Sequence, residues 1–145
     1  MFAMLYNFPS GPNGTLRDIQ TITTQNSPII LQGGVYSTNP TYPTQPGTLL
    51  GSSAVVTTTG SGTYIFYIPG NVTLVSGQPY WLCLNNYWPN YGAQYSAGYQ
   101  TSGNYGITPL LNIGGFNYAL LPDSWPTYGN DAGGSQLPIW ADFCK

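Results

Sequence analysis

The sequence contains no histidine and no glutamate. Its only lysine is Lys145 and its only arginine is Arg17; Asp18, Asp123, Asp131 and Asp142 complete the charged set. Enzymes working near neutral pH draw on His, Glu, Lys or a reactive Cys, because those groups exchange protons near the working pH. Their scarcity argues against catalysis, so the chain reads as no enzyme. Charged residues make up 4%, against roughly 25% in ordinary soluble domains. Charge usually keeps a free monomer soluble. Here hydroxyls and amides, attached sugar, or burial in an assembly must do so. Two cations displace too few phosphate counterions for nucleic acid to be a partner. No apolar run reaches the length of a membrane-spanning helix. The start, Met1 to Tyr6, is apolar but short and lacks the basic flank of a complete signal peptide. A mature form, another export route, or carriage on a phage-type particle each fit that start.

What is present describes strands and turns. The 145 residues suffice for one domain with a full core. Hydrophobic residues at 41%, aromatics at 15% and a net charge of -2 argue against disorder. The apolar set is rich in Tyr, Val, Ile and Trp, and Gly and Pro interrupt it often, which favours short strands. Residues 1–8 read as a strand, followed by a hinge at Pro9 to Gly14. Residues 16–24 read as a strand, and 28–36 as a strand bent or bulged at Gly33-Gly34. A Pro-rich loop covers 37–47. Residues 53–59 and 62–68 flank Gly60-Ser61 and predict a tight hairpin, with Tyr64, Phe66 and Ile68 on one face. Val72 and Leu74 open another short strand. Next, Gln78 to Leu84 sets Tyr80, Leu82 and Leu84 on one face and Trp81 and Cys83 on the other. Residues 85–106 are low in complexity. Residues 107–121 hold two apolar patches split by Gly114-Gly115, 123–136 form a polar loop, and Leu137 to Phe143 closes the chain as a strand. This order predicts an all-β antiparallel β-sandwich.

Cys83 and Cys144 are the only cysteines. In an extracellular setting they predict one disulfide; closing a loop of about sixty residues would contribute roughly 4 kcal/mol. Two buried free thiols are the alternative.

Three stretches carry a resemblance. Gly34-Val35-Tyr36-Ser37, then Pro46-Gly47-Thr48-Leu49-Leu50, then Val72 to Leu82 with its Tyr80-Trp81-Leu82, resemble a family of β-jelly-roll modules. Those modules occur in phage tail and fibre proteins and in prokaryotic surface proteins. Leu137-Pro138-Ile139-Trp140 matches the closing strand of the same pattern, and the likeness spans residues 16–143. It implies a jelly-roll sandwich with an extended apolar N-terminal strand: residues 1–12 as strand and hinge, residues 13–145 as the jelly-roll domain. It also implies a non-catalytic appendage module, extracellular, on a cell surface or on a phage virion. The matching residues are core and turn residues and carry no chemistry.

From this follow the candidate sites. Phe2, Met4, Leu5, Tyr6 and Phe8 would add as a donor strand to a groove of the next subunit, giving a homopolymeric filament or pilus-like fibre. Otherwise they form the chain's own first edge strand. Asn13-Gly14-Thr15 and Asn71-Val72-Thr73 fit the N-glycosylation sequon, although such triplets are common in Asn- and Thr-rich chains. Tyr87, Trp88, Tyr91, Tyr95, Tyr99, Trp125 and Tyr128 could stack on sugar rings, which supports the second reading of a carbohydrate- or receptor-binding module, a fibre tip or adhesin. Alternatively those rings pack on the sandwich or in an interface. Asp123, Asn130 and Asp131 have oxygens suited to Ca²⁺ but no EF-hand spacing, so no metal or cofactor is expected. A glycosidase built on Asp123 and Asp131 would need a buried acid, and nothing in the sequence shows one.

Overall fold

Strand propensity and alternation decide the architecture, and no described residue is helical. The computed structural model describes residues 1–8, 10–24, 28–87, 110–112, 120–126, 130–131 and 139–144. Its strands are β1 (Phe2–Asn7), β2 (Gly14–Thr23), β3 (Ile30–Thr38), β4 (Pro46–Ser52), β5 (Val56–Thr57), β6 (Gly62–Tyr67), β7 (Thr73–Leu74), β8 (Pro79–Tyr87), β9 (Leu110–Asn112), β10 (Asn130–Asp131) and β11 (Ile139–Cys144). They form two antiparallel sheets. One runs β10-β9-β1-β8-β3-β4, with β5 also on β3; the other runs β11-β2-β6, with β7 also on β2.

The sheets share one apolar core, giving a sandwich-like arrangement. Met4, Phe8, Leu31, Val35, Tyr80, Leu82 and Leu84 from the larger sheet and its flank meet Leu16, Ile19, Phe66, Leu74 and Ile139 from the smaller. A second cluster lies on the opposite face of the larger sheet: Met1, Ala3, Tyr36, Trp81, Cys83, Leu121 and Trp125. The alternation expected in β8 is present, with Tyr80, Leu82 and Leu84 in the first cluster and Trp81 and Cys83 in the second. The larger sheet is thus covered on both faces, by the smaller sheet and by the segment 121–125.

β2 keeps one face inward through an irregularity. Its register against β11 shifts between Asp142 and Phe143, which pair with Asp18 and Leu16. Arg17 is the extra residue, so Leu16 and Ile19 both reach the core. Asp18 is buried beneath Arg17 and Gln20: Arg17 Nε donates to its Oδ2 at 2.9 Å and Gln20 Nε2 to its Oδ1 at 2.8 Å. Arg17 also bridges to Asp142 on β11.

Tyrosine hydroxyls tie the loops down where charge is missing. Tyr36 Oη donates to the Pro122 carbonyl at 2.7 Å. Tyr80 Oη accepts from the Val75 N–H at 2.7 Å. Tyr64 Oη accepts from the Thr59 and Gly60 N–H groups and donates to the Gly60 carbonyl. Hydrogen bonding from the Thr59 side chain favours the phenolate most, with the Thr59 and Gly60 N–H groups adding to it, and holds the Tyr64 pKa below its ordinary value.

Three expectations are corrected. The segments around Gly60-Ser61 do not make a hairpin: β5 pairs with β3 and β6 with β2. The chain crosses between sheets there, and both flanks pack on the shared core, β5 through Val56 and β6 through Phe66. The Gly33-Gly34 pair does not break the ladder with β8, which runs unshifted from Ile30 to Ser37; the shifts fall on the β4 side, at Val35/Tyr36 and Tyr36/Thr38. The glycines serve close approach instead, to Phe66 on one face and Leu121 on the other. Finally, Cys83 and Cys144 form no disulfide. Cys83 is buried in the cluster facing away from the smaller sheet, whereas Cys144 is exposed at the end of β11.

Candidate functional site

β1 is the feature with the clearest binding geometry. It lies inside the larger sheet, neither at an edge nor beyond the fold. On one side it pairs with β8 from Phe2↔Leu84 to Asn7↔Pro79; on the other it pairs with β9 at Phe2↔Asn112, Ala3↔Leu111 and Met4↔Leu110. Main-chain bonds continue past its end: Phe8 N–H donates to the Gln78 carbonyl at 3.1 Å, and Gly77 N–H donates to the Phe8 carbonyl at 3.2 Å.

Alternation in this segment serves two buried faces. Met4 and Phe8 are buried in the shared core, and Tyr6 packs against it. Phe8 meets Phe143 edge-on, ring centroids 4.7 Å apart. Met1 and Ala3 enter the second cluster, with Leu5 packed against it. Burial raises the Tyr6 phenol pKa above its ordinary value. For Phe2 the structure describes the strand pairing alone. Ala3 and Met1 were not singled out from sequence. The signal was there: Met1 to Tyr6 is an unbroken apolar run, and such runs mark strands covered on both faces. The turn after the strand is open, since Ser10, Gly11, Pro12 and Asn13 are all exposed.

The two sequons are adjacent in space. Gly14 pairs with Leu74 and Thr15 with Thr73, so the two triplets meet at their threonines in the β2–β7 ladder. Asn13 Oδ1 accepts from the Ser76 N–H at 2.9 Å and braces the turn before β8. Asn71 is exposed beside Gly70, whose φ of 89° suits glycine.

The aromatic set is not assembled by the described residues. Trp125 is buried, and its ring stands edge-on to Tyr36 with centroids 5.5 Å apart, so neither face is open to a sugar. Of the two sequence readings of Trp125, its burial fits packing on the sandwich. Tyr87 ends β8, while Trp88, Tyr91, Tyr95, Tyr99 and Tyr128 lie outside the described residues. Asp123 is exposed, and its main-chain carbonyl accepts from Leu49 N–H; Asn130 and Asp131 form β10.

A shallow cavity of about 240 Å³ is lined by Ser37, Thr38, Gln78, Pro79 and Tyr80. Among the described residues, no three His, Cys, Asp or Glu side chains gather as a metal site. No described helix is long and apolar enough to cross a membrane. No protein-family model, curated protein or solved structure matched this chain. β1 is thus a six-residue interior strand, paired along its length with β8 and over Phe2 to Met4 with β9, and covered on both faces.

Proposed function

We propose that the chain is a non-catalytic structural subunit of an extracellular filament or pilus-like fibre, built on a jelly-roll sandwich and joined by exchange of β1. The supporting observation is the combination of an interior strand with an exposed Gly/Pro turn. Withdrawing β1 opens a slot between β8 and β9. A neighbour's β1 restores the same main-chain bonds and the same seats for Ala3, Met4 and Phe8. Fully burying a Met, Leu or Phe side chain contributes about 1.5–3 kcal/mol, and exchange keeps that contribution, as in domain swapping. One strand given and one received at different places makes a head-to-tail contact, which propagates as a fibre. In this reading the fibre works outside the cell, on its surface or on a phage virion, and Asn71 is the better placed of the two glycosylation acceptors.

Negative-stain electron microscopy of the full chain at micromolar concentration tests the proposal. Uniform fibres are expected. Deleting residues 1–12 should abolish them, and a peptide of residues 1–12 should bind the deleted protein without restoring polymers. Dispersed particles across salt and pH would overturn the reading. A glycan array would then test the binding-module alternative.

A further inference from the structure

Sheet edges are where an all-β protein meets other chains, and native edges are guarded by charge, proline, bulges or covering segments. Apart from the two-residue strands β5 and β7, four described strands lie at edges, and three of them, β4, β10 and β11, are guarded. Along β4, Leu49 N–H donates to the Asp123 carbonyl at 2.8 Å and Trp125 N–H to the Gly47 carbonyl at 3.0 Å, with a bridge at Thr48↔Ser124. β10 is two residues long and includes Asp131. β11 carries Asp142, bound to Arg17, and its register shifts there.

Among the described residues, β6 has none of these protections. It spans Gly62–Tyr67 without charge or proline, in unbroken register with β2, and no described strand pairs with its other side. The direction of its free groups follows from one bond: Ile68 N–H donates to the Arg17 carbonyl at 3.0 Å. Alternation then turns the main chains of Phe66, Tyr64 and Gly62 toward β2, and those of Thr63, Ile65 and Tyr67 outward. The side chains of these outward residues are exposed too, Ile65 at 41% and Tyr67 at 66%.

We propose that the β6 edge pairs antiparallel with β6 of a second copy about a two-fold axis at Ile65, joining the smaller sheets of two subunits. Centring on Ile65 sets Ile65 against Ile65 of the second copy, and Thr63 against its Tyr67. Each outward pair exchanges two main-chain bonds, about six in all, and Ile65 and Tyr67 extend the contact along one face. A two-fold axis brings the residue on it, here Ile65, against its own copy, so a charge at that position would repel itself. The chain has no charged residue between Asp18 and Asp123. A neutral, self-complementary edge therefore fits a second copy better than a charged foreign strand, for which it offers no counter-charge. This contact is independent of β1 exchange: in a fibre it pairs filaments sideways, and in a free subunit it makes a dimer.

Cysteine cross-linking of the full chain in a Cys144→Ser background reads the geometry. Residues paired across such a ladder have Cα atoms about 5.5 Å apart, within disulfide reach. Under mild oxidation Ile65→Cys should give a covalent dimer, whereas Val75→Cys, also exposed, should not. Thr63→Cys mixed with Tyr67→Cys should cross-link, while each alone should not. Ile65→Lys should weaken self-association by tenfold or more, since like charges directly opposite cost several kcal/mol; sedimentation equilibrium measures this. Equal cross-linking at Ile65 and Val75, dimers from Thr63→Cys alone, or unchanged association of Ile65→Lys would each overturn the proposal. Loss of sideways pairing with fibres retained would separate this contact from the β1 contact.

Discussion

Gly33 and Phe66 meet across the two sheets with no room for a methyl group: a Cβ on Gly33 would lie 2.7 Å from the Phe66 Cβ. Both atoms are tied to backbone, so relief requires the sheets to shift. Gly33→Ala should therefore destabilise by about 1–3 kcal/mol through overpacking. A lower urea midpoint at unchanged slope would bear this out. An unchanged midpoint would mean the sheets separate more easily than the contact implies.

The two thiols should behave oppositely. Cys144 is exposed, and Cys83 is fully buried, with its pKa pushed well up by burial. A thiol reagent should label Cys144 in the native protein and reach Cys83 only on unfolding. Mass spectrometry before and after urea counts the labels.

Linkage gives the same thiol a pH signature. The folded pKa of Cys83 lies above its unfolded value. Its stabilisation is therefore complete below the unfolded thiol pKa of about 8.5 and is lost as pH rises toward the folded value. Urea midpoints should fall between about pH 7.5 and 9.5, and Cys83→Ala should flatten that fall. Tyr6, also raised, adds to the loss at higher pH; Tyr64, held low, opposes it.

The carboxylates around Arg17 should differ in cost. The Asp18 side chain is 1% exposed and that of Asp142 46%. Arg17→Met removes a charged donor from a buried carboxylate and should cost about 1–3 kcal/mol. Asp142→Asn breaks only an exposed pair and should cost under about 1 kcal/mol. Equal costs in thermal melts would show that the Arg17–Asp18 contact is not the one that matters.

Tyr36 holds the segment 120–126 through its bond to Pro122 and its contact with Trp125. Tyr36→Phe keeps the ring and loses the bond, leaving the Pro122 carbonyl short of a donor. A loss of about 1–2 kcal/mol is expected, with a change in tryptophan emission as Trp125 loosens. Identical emission and stability would show that the ring alone holds the segment.

The strands were largely legible because alternation is local. Phe66, Ile68, Leu82 and Leu84 enter the shared core, as the alternation in their strands predicts, whereas Leu16 reaches it through the irregularity at Arg17. The choice of partner strand was not legible, since pairing is set by distant residues. Gly60-Ser61 has the chemistry of a tight turn, yet its flanks serve different sheets. Trp125 left two readings open, a ligand platform or a packed ring, because nothing local showed Tyr36 beside it. The cysteine pairing failed for the same reason: spacing does not reveal which face of a sheet a residue takes.

The long uncharged interval from Ile19 to Pro122 has an environmental consequence. Acid usually unfolds proteins by protonating carboxylates that the native state holds ionised, and only four carboxylate side chains exist here. No side chain has an ordinary pKa between those of Asp and Cys, about 3.9 and 8.5. Ionic strength likewise finds few exposed pairs to screen. Few side chains therefore make the fold respond to salinity or to acidity across that span.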